Sequence, residues 1–158
     1  MTLEELEKRI KALEDLEEIK KLHRKYMVWL NLKQPEEIID CFAEDAIADI
    51  RIYGPKMGKA EIAKLFREII CPIQVVPGSI TPKGGHFLFH PVITVEGDTA
   101  KSHWFMDRFF DDVSTPEVPT LKLLKGRYDV KYVKENGKWN FGYLKWTHPW
   151  PLEPQPNP

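Results

Sequence analysis

His86 and Asp107 are the residues whose types and spacing could support proton transfer. They lie near opposite ends of residues 84–110, a stretch that predicts two apolar strands joined by a Glu-Gly-Asp turn. An antiparallel pair that turns at Gly97 brings those two ends together. A carboxylate beside an imidazole holds the ring ready to accept a proton near neutral pH. The alternative is a strand histidine hydrogen-bonded to a buried acid for structural reasons alone.

Tyr26 and Asn31 are the next candidates, five residues apart near the end of a predicted helix. The Tyr26 hydroxyl could polarise a substrate carbonyl or assist a leaving group, or it could belong to an ordinary core tyrosine. Asn31 can donate and accept hydrogen bonds but cannot take up a proton or carry charge. Substrate recognition by Asn31 and helix termination, which asparagine favours by tolerating the left-handed conformation, both stay open.

Six further residues are weaker candidates for contacting a substrate: Tyr53, His90, His103, Trp104, Arg127 and Tyr128. His90 shares a strand face with His86 unless Pro91 introduces a bulge. Arg127 suits a substrate carboxylate or enolate oxygen, although a surface ion pair is the commoner role for arginine. Three histidines and an aspartate are enough ligands for a metal, but no H-x-H or HExxH spacing supports one. We therefore predict neither a metal nor any other cofactor.

The N-terminal half is predicted to be helical with one strand. Residues 2–31 form a long helix on the spacing of its leucines and isoleucines, and its first fifteen residues are too polar for a core. That exposed leader favours a contact with another subunit. A second helix is predicted over 35–45, a strand over 46–54 and a third helix over 58–70.

The rest of the chain is predicted to be β-structure. The hairpin of residues 86–110 is followed by a second one, residues 121–135 and 137–148, which turns at Asn136-Gly137. Residues 149–158 form a proline-rich tail that cannot join a sheet interior. We expect residues 1–148 to form one α+β domain. Its curved antiparallel sheet and three helices should make a cone that encloses a pocket.

Composition narrows the function classes. The 158 residues suffice for one domain, and the net charge is −1 without any basic block, which argues against nucleic-acid binding. Cys41 and Cys71 have neither disulfide-framework nor zinc-ligand spacing, so we expect free thiols in the cytoplasm. The charged start MTLEELEKRI has no signal-peptide core, and no apolar run approaches the roughly 18 residues of a membrane helix. We therefore expect no membrane partner.

Five motifs in order resemble the SnoaL-like branch of the nuclear transport factor 2 superfamily. They are LHRKYMVWLN, CFAEDAIADI, MGKAEIAKLF, HFLFHPVITVEGDTA and GRYDVKYVKENGKWNF, within residues 16–148. Within the branch the likeness is greatest to the bile-acid 7α-dehydratases, and scytalone dehydratases are more distant. The resemblance implies a cystatin-like roll, a homodimer or homotrimer, and a catalytic tyrosine at Tyr26. It also places a His–Asp dyad at His86 and Asp107, but Asn31 stands where the family usually has an aspartate.

On this basis we expect a cofactor-independent lyase, a dehydratase or a related eliminating enzyme, that acts on a hydrophobic ring-containing small molecule. His86 would remove a proton, Asp107 would hold the imidazole, Tyr26 would stabilise the oxyanion or protonate the leaving group, and Asn31 would orient the substrate. An isomerase with the same base is the alternative within enzymes. The non-catalytic alternatives are a hydrophobic-ligand-binding protein and a structural subunit like the β subunit of a ring-hydroxylating dioxygenase, because this fold hosts all these classes.

Overall fold

A computed structural model of the chain describes residues 1–72, 84–112 and 120–148. Its first element is the long helix α1 (Leu3–Leu32). Thr2 begins the helix with a capping box, in which its hydroxyl accepts from the backbone N–H of Glu5 and the Glu5 carboxylate accepts from that of Thr2. Lys33 ends the helix in the left-handed conformation. The helix expected over residues 2–31 is therefore confirmed.

The chain after α1 departs from the sequence prediction. Helix α2 (Pro35–Ile39) is only five residues long, and strand β1 (Phe42–Ile50) begins where the predicted second helix should continue. The prediction of a helix to residue 45 was wrong because Phe42 pairs in parallel with Phe141, and the carbonyl of Cys41 accepts from the N–H of Phe141 at 2.8 Å. These sheet contacts outweigh the helix propensity of the Ala- and Glu-containing segment.

A short connection leads from β1 to the third helix. A 3-10 turn (Arg51–Tyr53) follows β1 directly, so the predicted strand over 46–54 starts and ends too late. Strand β2 (Pro55–Met57) then pairs with β1. Helix α3 (Lys59–Lys64) continues as a π-helical turn (Leu65–Ile70), which agrees with the helix expected over 58–70.

Four long strands complete one six-stranded sheet. They are β3 (Gly85–Glu96), β4 (Thr99–Asp112), β5 (Thr120–Glu135) and β6 (Lys138–Thr147), close to the two predicted hairpins. The sheet order is β2-β1-β6-β5-β4-β3, and every neighbouring pair is antiparallel except β1 and β6. The α+β fold with a curved sheet and three helices is confirmed. The predicted tail, residues 149–158, lies outside the described residues.

The core lies between the inner face of the sheet and one side of α1. Tyr26 from α1 makes edge-to-face contacts with Phe42 and Phe141 of the sheet and with Phe66 after α3. Such rings are completely buried, so they fix α1 against the sheet. No helix in the described ranges has both the length and the apolar character needed to cross a membrane.

A β-bulge divides β3 into two parts, and the side chains that face the core alternate differently in each part. Phe89 pairs with Phe105 and Val92 with His103, so His90 and Pro91 together oppose a single residue of β4. His90 takes a left-handed conformation, with φ of 48°. Because side chains alternate along a strand, the extra residue exchanges the inward and outward positions on one side of the bulge.

Candidate functional site

A cavity of about 80 Å³ lies between the end of α1, the 3-10 turn and the inner face of strands β3 to β6. Its polar lining consists of an imidazole, three phenols and three cationic side chains: His86, Tyr26, Tyr53, Tyr128, Lys33, Arg51 and Arg108. The remaining lining is apolar apart from the indole N–H of Trp146. A larger surface depression of about 330 Å³ between α1 and the β5–β6 turn has lysines beside carboxylates and no imidazole, so the smaller cavity is the chemical candidate.

The bulge in β3 turns His86 into this cavity. Beyond the bulge, His86 pairs with Arg108 of β4, and both side chains line the cavity. Without the extra residue, His86 would share the outward parity of Val92. The bulge that Pro91 made conceivable is therefore present, and it decides which histidine reaches the site.

Asn31 of α1 holds His86 by three contacts. The Asn31 amide N–H donates to the His86 carbonyl at 3.0 Å, and its Oδ1 accepts from the His86 backbone N–H at 2.8 Å. These backbone bonds fix the amide orientation, so the oxygen also faces His86 Nδ1, at 2.8 Å. An amide oxygen only accepts, so Nδ1 carries the proton and Nε2 keeps its lone pair.

His86 is neutral at ordinary pH. Burial, followed by the positive charges of Arg108 and Lys33, lowers the pKa of His86 to about 3. The neutral ring is a hydrogen-bond acceptor at Nε2 without being charged. A group with so low a pKa is a weak base until its surroundings change.

The predicted His86–Asp107 pair is not formed within the chain. Asp107 pairs with Phe87 across β3 and β4, whereas His86 pairs with Arg108. Cross-strand partners share a face and neighbouring residues do not, so Asp107 lies on the outer face, opposite to His86. The prediction was wrong because it assumed a regular hairpin and took closeness along the strands for a shared face.

Tyr26 and Tyr128 form a buried pair of phenols at the cavity wall. Burial raises the pKa of both hydroxyls, and each is a hydrogen-bonding partner of the other. Both are therefore protonated, and since one hydroxyl donates to the other, the pair keeps one O–H for a ligand. Tyr26 lies in the cavity lining, as do Tyr53 and Tyr128, and their roles toward a substrate stay predictions.

The other predicted contact residues lie away from the cavity. His90 is exposed at the bulge, and His103 is exposed on the outer face, where Asp129 accepts from its Nδ1. Arg127 donates to the same Asp129 at 2.8 Å, the ion pair that is the commoner fate of arginine. Trp104 is buried, and its indole N–H contacts the Ser102 and Tyr132 hydroxyls. These four were wrong as cavity residues.

The structure excludes one of the two roles left open for Asn31, and a role in substrate recognition stays a prediction. Helix α1 continues past it to Leu32, so it does not end the helix. Its Oδ1 and one amide N–H contact His86, and Asn31 is not among the cavity-lining residues. Asn31 is a positioning residue for the imidazole.

Sequence reasoning missed the three cations of the cavity. Lys33 follows α1, Arg51 begins the turn after β1, and Arg108 lies one residue beyond Asp107. The available signal was the alternation of side chains along β4, where Trp104, Met106 and Arg108 occupy successive inward positions. No group of three His, Cys, Asp or Glu side chains arranged for a metal exists among the described residues.

Comparison with known proteins agrees with this fold. The model of the SnoaL-like domain family matches residues 11–145. This chain belongs to the SnoaL-like domain family. The resemblance proposed from the motifs is thereby confirmed at the level of the family, whereas the finer likeness to bile-acid 7α-dehydratases stays a prediction. No curated protein gives a significant match to the sequence.

Solved structures similar to this SnoaL-like chain have low sequence identity. A protein with a cystatin-like fold from Novosphingobium aromaticivorans is 24% identical, covers 92% of this chain and 88% of its own, and has a TM-score of 0.72. A protein provisionally named a scytalone dehydratase from the same organism is 19% identical, with coverages of 85% and 84% and a TM-score of 0.68. A hexachlorocyclohexane dehydrochlorinase is 16% identical, with 90% of each chain covered and a TM-score of 0.74. At these identities the likeness establishes the fold alone.

Proposed function

We propose that this SnoaL-like protein is a cofactor-independent lyase, a dehydratase or related eliminating enzyme, that acts on a small hydrophobic ring-containing molecule. One observation carries the proposal. A histidine lines a cavity whose wall combines apolar side chains with phenols and cations, and Asn31 fixes its tautomer so that Nε2 is the basic atom. Two fold neighbours, named as a dehydratase and a dehydrochlorinase, are eliminating enzymes by name and support the same reaction class.

The proposed reaction is removal of water from a substrate with an acidic C–H and a β-hydroxyl group. Nε2 of His86 takes the proton, the C–H electron pair becomes the new double bond, and the C–O bond breaks. The imidazolium then returns the proton to the departing oxygen, so water leaves and the ring is neutral again. The O–H of the Tyr26–Tyr128 pair that is not used within the pair can donate to the oxygen that gains negative charge, and burial strengthens such contacts.

Asn31 changes the electrostatics of this mechanism compared with a His–carboxylate dyad. An amide orients the imidazole but supplies no negative charge to stabilise the imidazolium. Arg108 and Lys33 disfavour the imidazolium further. The required negative charge must then come from the substrate, either as a developing enolate or as a group that it already carries. The same features favour a hydrophobic-ligand-binding protein as the second candidate.

The test is turnover of a panel of cyclic β-hydroxy ketones and aryl alcohols by the parent and by His86→Gln. Loss of the general base should reduce turnover by about 10²–10⁴-fold. His90→Asn is a matched control, because it changes an exposed histidine of the same strand and asparagine tolerates the left-handed backbone there. A product lighter by one water indicates elimination, and a product of unchanged mass indicates the isomerase alternative. Equal turnover by the parent and His86→Gln would refute the mechanism, and no turnover by the parent would favour ligand binding.

A further inference from the structure

The cavity carries an excess of positive charge. Lys33, Arg51 and Arg108 line it from three different elements, and no carboxylate among the described residues does so. Burial and the proximity of Arg51 lower the pKa of Arg108, and burial together with Arg108 lowers that of Lys33. The cations therefore oppose each other in a partly desolvated space.

Arg108 is the central member of this group. It is half-buried, and its guanidinium lies 5.2 Å from the centre of the Phe110 ring. Among the side chains that the structure describes, in residues 1–72, 84–110 and 121–148, Arg108 forms no ion pair with a carboxylate. A buried charge without a counterion costs free energy, so proteins rarely keep one without a purpose.

Other cations of the same sheet are paired. Lys134 donates to the buried carboxylate of Asp15 at 2.5 Å, and Arg127 donates to Asp129 at 2.8 Å. Lys33, by contrast, reaches only the carbonyl oxygen of Ile70, at 3.4 Å. Lys33 and Arg108 thus differ from these two cations in having no acid partner in the described part of the chain.

The neutral polar groups of the cavity are also rich in donors. Tyr26 and Tyr128 keep their protons, and the indole Nε1 of Trp146 is a buried donor without a partner. His86 Nε2 offers a single acceptor. The apolar walls come from side chains such as Leu30, Ile50 and Met106. A ligand that matches this lining presents acceptor oxygens and negative charge at one end and a hydrocarbon ring at the other.

We propose that the cavity binds a small ring compound through a carboxylate that pairs with the guanidinium of Arg108 and the ammonium of Lys33. Arginine offers two parallel N–H donors to a carboxylate, which fixes the orientation of the ring as well as its charge. The volume of about 80 Å³ suits a single ring, with some side-chain movement, better than a fused ring system.

This inference rests on the proposed function only in using the same cavity, and it supplies what that mechanism lacks. The charged and titratable groups that face His86 are Lys33 and Tyr26 from α1 and the following turn, Arg51 and Tyr53 from the 3-10 turn, Arg108 from β4 and Tyr128 from β5. Of these, Arg108 and Lys33 depress the pKa of His86. A bound carboxylate offsets both charges and so raises that pKa. The substrate thereby makes its own base stronger.

The first experiment measures binding without turnover. Benzoate and benzamide, which have the same shape and differ in charge, are titrated into the protein and followed by calorimetry, with acetate as an anion that has no ring. Benzoate should bind about 10- to 100-fold more tightly than benzamide, because a hydrogen bond to a charged group is worth more than a neutral one. Benzoate should also bind more tightly than acetate. Equal affinities for benzoate and benzamide would overturn the proposal.

The second experiment removes the guanidinium. Arg108→Met should weaken benzoate binding about 10- to 100-fold and leave benzamide binding within about twofold. Arg127→Met is the matched control on the outer face and should retain the parent affinity for benzoate. If Arg108→Met does not fold, the ring-nitrogen NMR signals of His86 in the parent decide, since benzoate should raise its pKa and benzamide should not. An unchanged His86 pKa with benzoate, or equal loss of affinity in both variants, would contradict the inference.

The two proposals fail separately. Selective benzoate binding, together with no turnover of the panel or of cyclic β-hydroxy acids, refutes the lyase and keeps the carboxylate site. Turnover of neutral substrates that depends on His86, without any preference for benzoate over benzamide, refutes the carboxylate site and keeps the lyase.

Discussion

Replacing Asn31 by aspartate should make His86 a stronger base. The new carboxylate oxygen would occupy the position of Oδ1, 2.8 Å from Nδ1. With an effective dielectric constant of about 20, unit charges about 4 Å apart attract by about 4 kcal/mol. Each 1.4 kcal/mol is about one pKa unit, so the full attraction would raise the His86 pKa by about 3. Asn31 is exposed, so solvent screening reduces this to an increase of about 1.5–3.

Ring-nitrogen NMR over a pH series measures this change directly. The parent His86 should stay neutral to about pH 3, and Asn31→Asp should show protonation of the same ring between about pH 4.5 and 6. Asn31→Leu is the control of similar size, because it removes the hydrogen bonds and adds no charge. The His86 signals are assigned by their loss in His86→Gln. An unchanged pKa in Asn31→Asp would refute the reasoning that Asn31 sets the electrostatics of the imidazole.

The same pKa contributes to stability in acid. The folded pKa of His86, about 3, lies below the ordinary value of 6.5, so the unfolded chain takes up the proton first as pH falls. The folded state should therefore lose stability between about pH 6.5 and 3, by up to about 1.4 kcal/mol for each pH unit from this group. Asn31→Asp should lose less over the same interval. Urea denaturation at pH 7 and pH 4.5 measures the difference, and an equal loss in both proteins would contradict the assignment.

Three further outcomes follow from other parts of the fold. Gly126→Ala should cost about 1–3 kcal/mol in urea unfolding, because its Cβ would lie 2.2 Å from Trp146 Nε1, and an unchanged midpoint would contradict this close approach. Asp15→Ala should cost about 2–3 kcal/mol by leaving Lys134 without its partner, less than for a fully buried pair because the ammonium can reach water, and a cost below 1 kcal/mol would count against the pair. Phe87, 51% exposed on the outer face of the sheet, should contact a second copy, so Phe87→Glu should convert a homodimer or homotrimer into a monomer in light scattering. A parent that is already monomeric would refute the contact.

The elements that repeat a strong local pattern could be predicted from the sequence. Helix α1 has a capping residue and an apolar stripe that shifts phase along its length, and both long hairpins have turns whose residues favour tight connections. The boundary between α2 and β1 could not, because the pairing of Phe42 with Phe141 is a contact between residues distant in the chain. Local propensity carries no information about such a partner.

The site was predictable in part for a related physical reason. His86, Tyr26, Tyr53 and Tyr128 were found because aromatic and imidazole side chains on inward positions are informative by type. The prediction that His86 pairs with Asp107 was wrong by one residue of strand register. Because side chains alternate with a period of two, that shift is enough to place them on opposite faces of the sheet. The local sequence does not determine whether an X-Pro step such as His90-Pro91 forms a bulge, as it does here, or continues the regular strand pairing.

The bulge at His90 determines which side chains of residues 85–89 face the cavity and which face the outside of the sheet. Removing one residue there would turn the Phe87 and Phe89 side chains toward the cavity and the His86 imidazole toward the outer face. No other residue of the segment would need to change. Relatives with nearly the same hairpin sequence can therefore have cavities of different chemistry, one lined by apolar side chains and the other by a basic imidazole. Aligning such chains by motif alone would hide that difference, and counting residues between the Gly97 turn and the histidine would expose it.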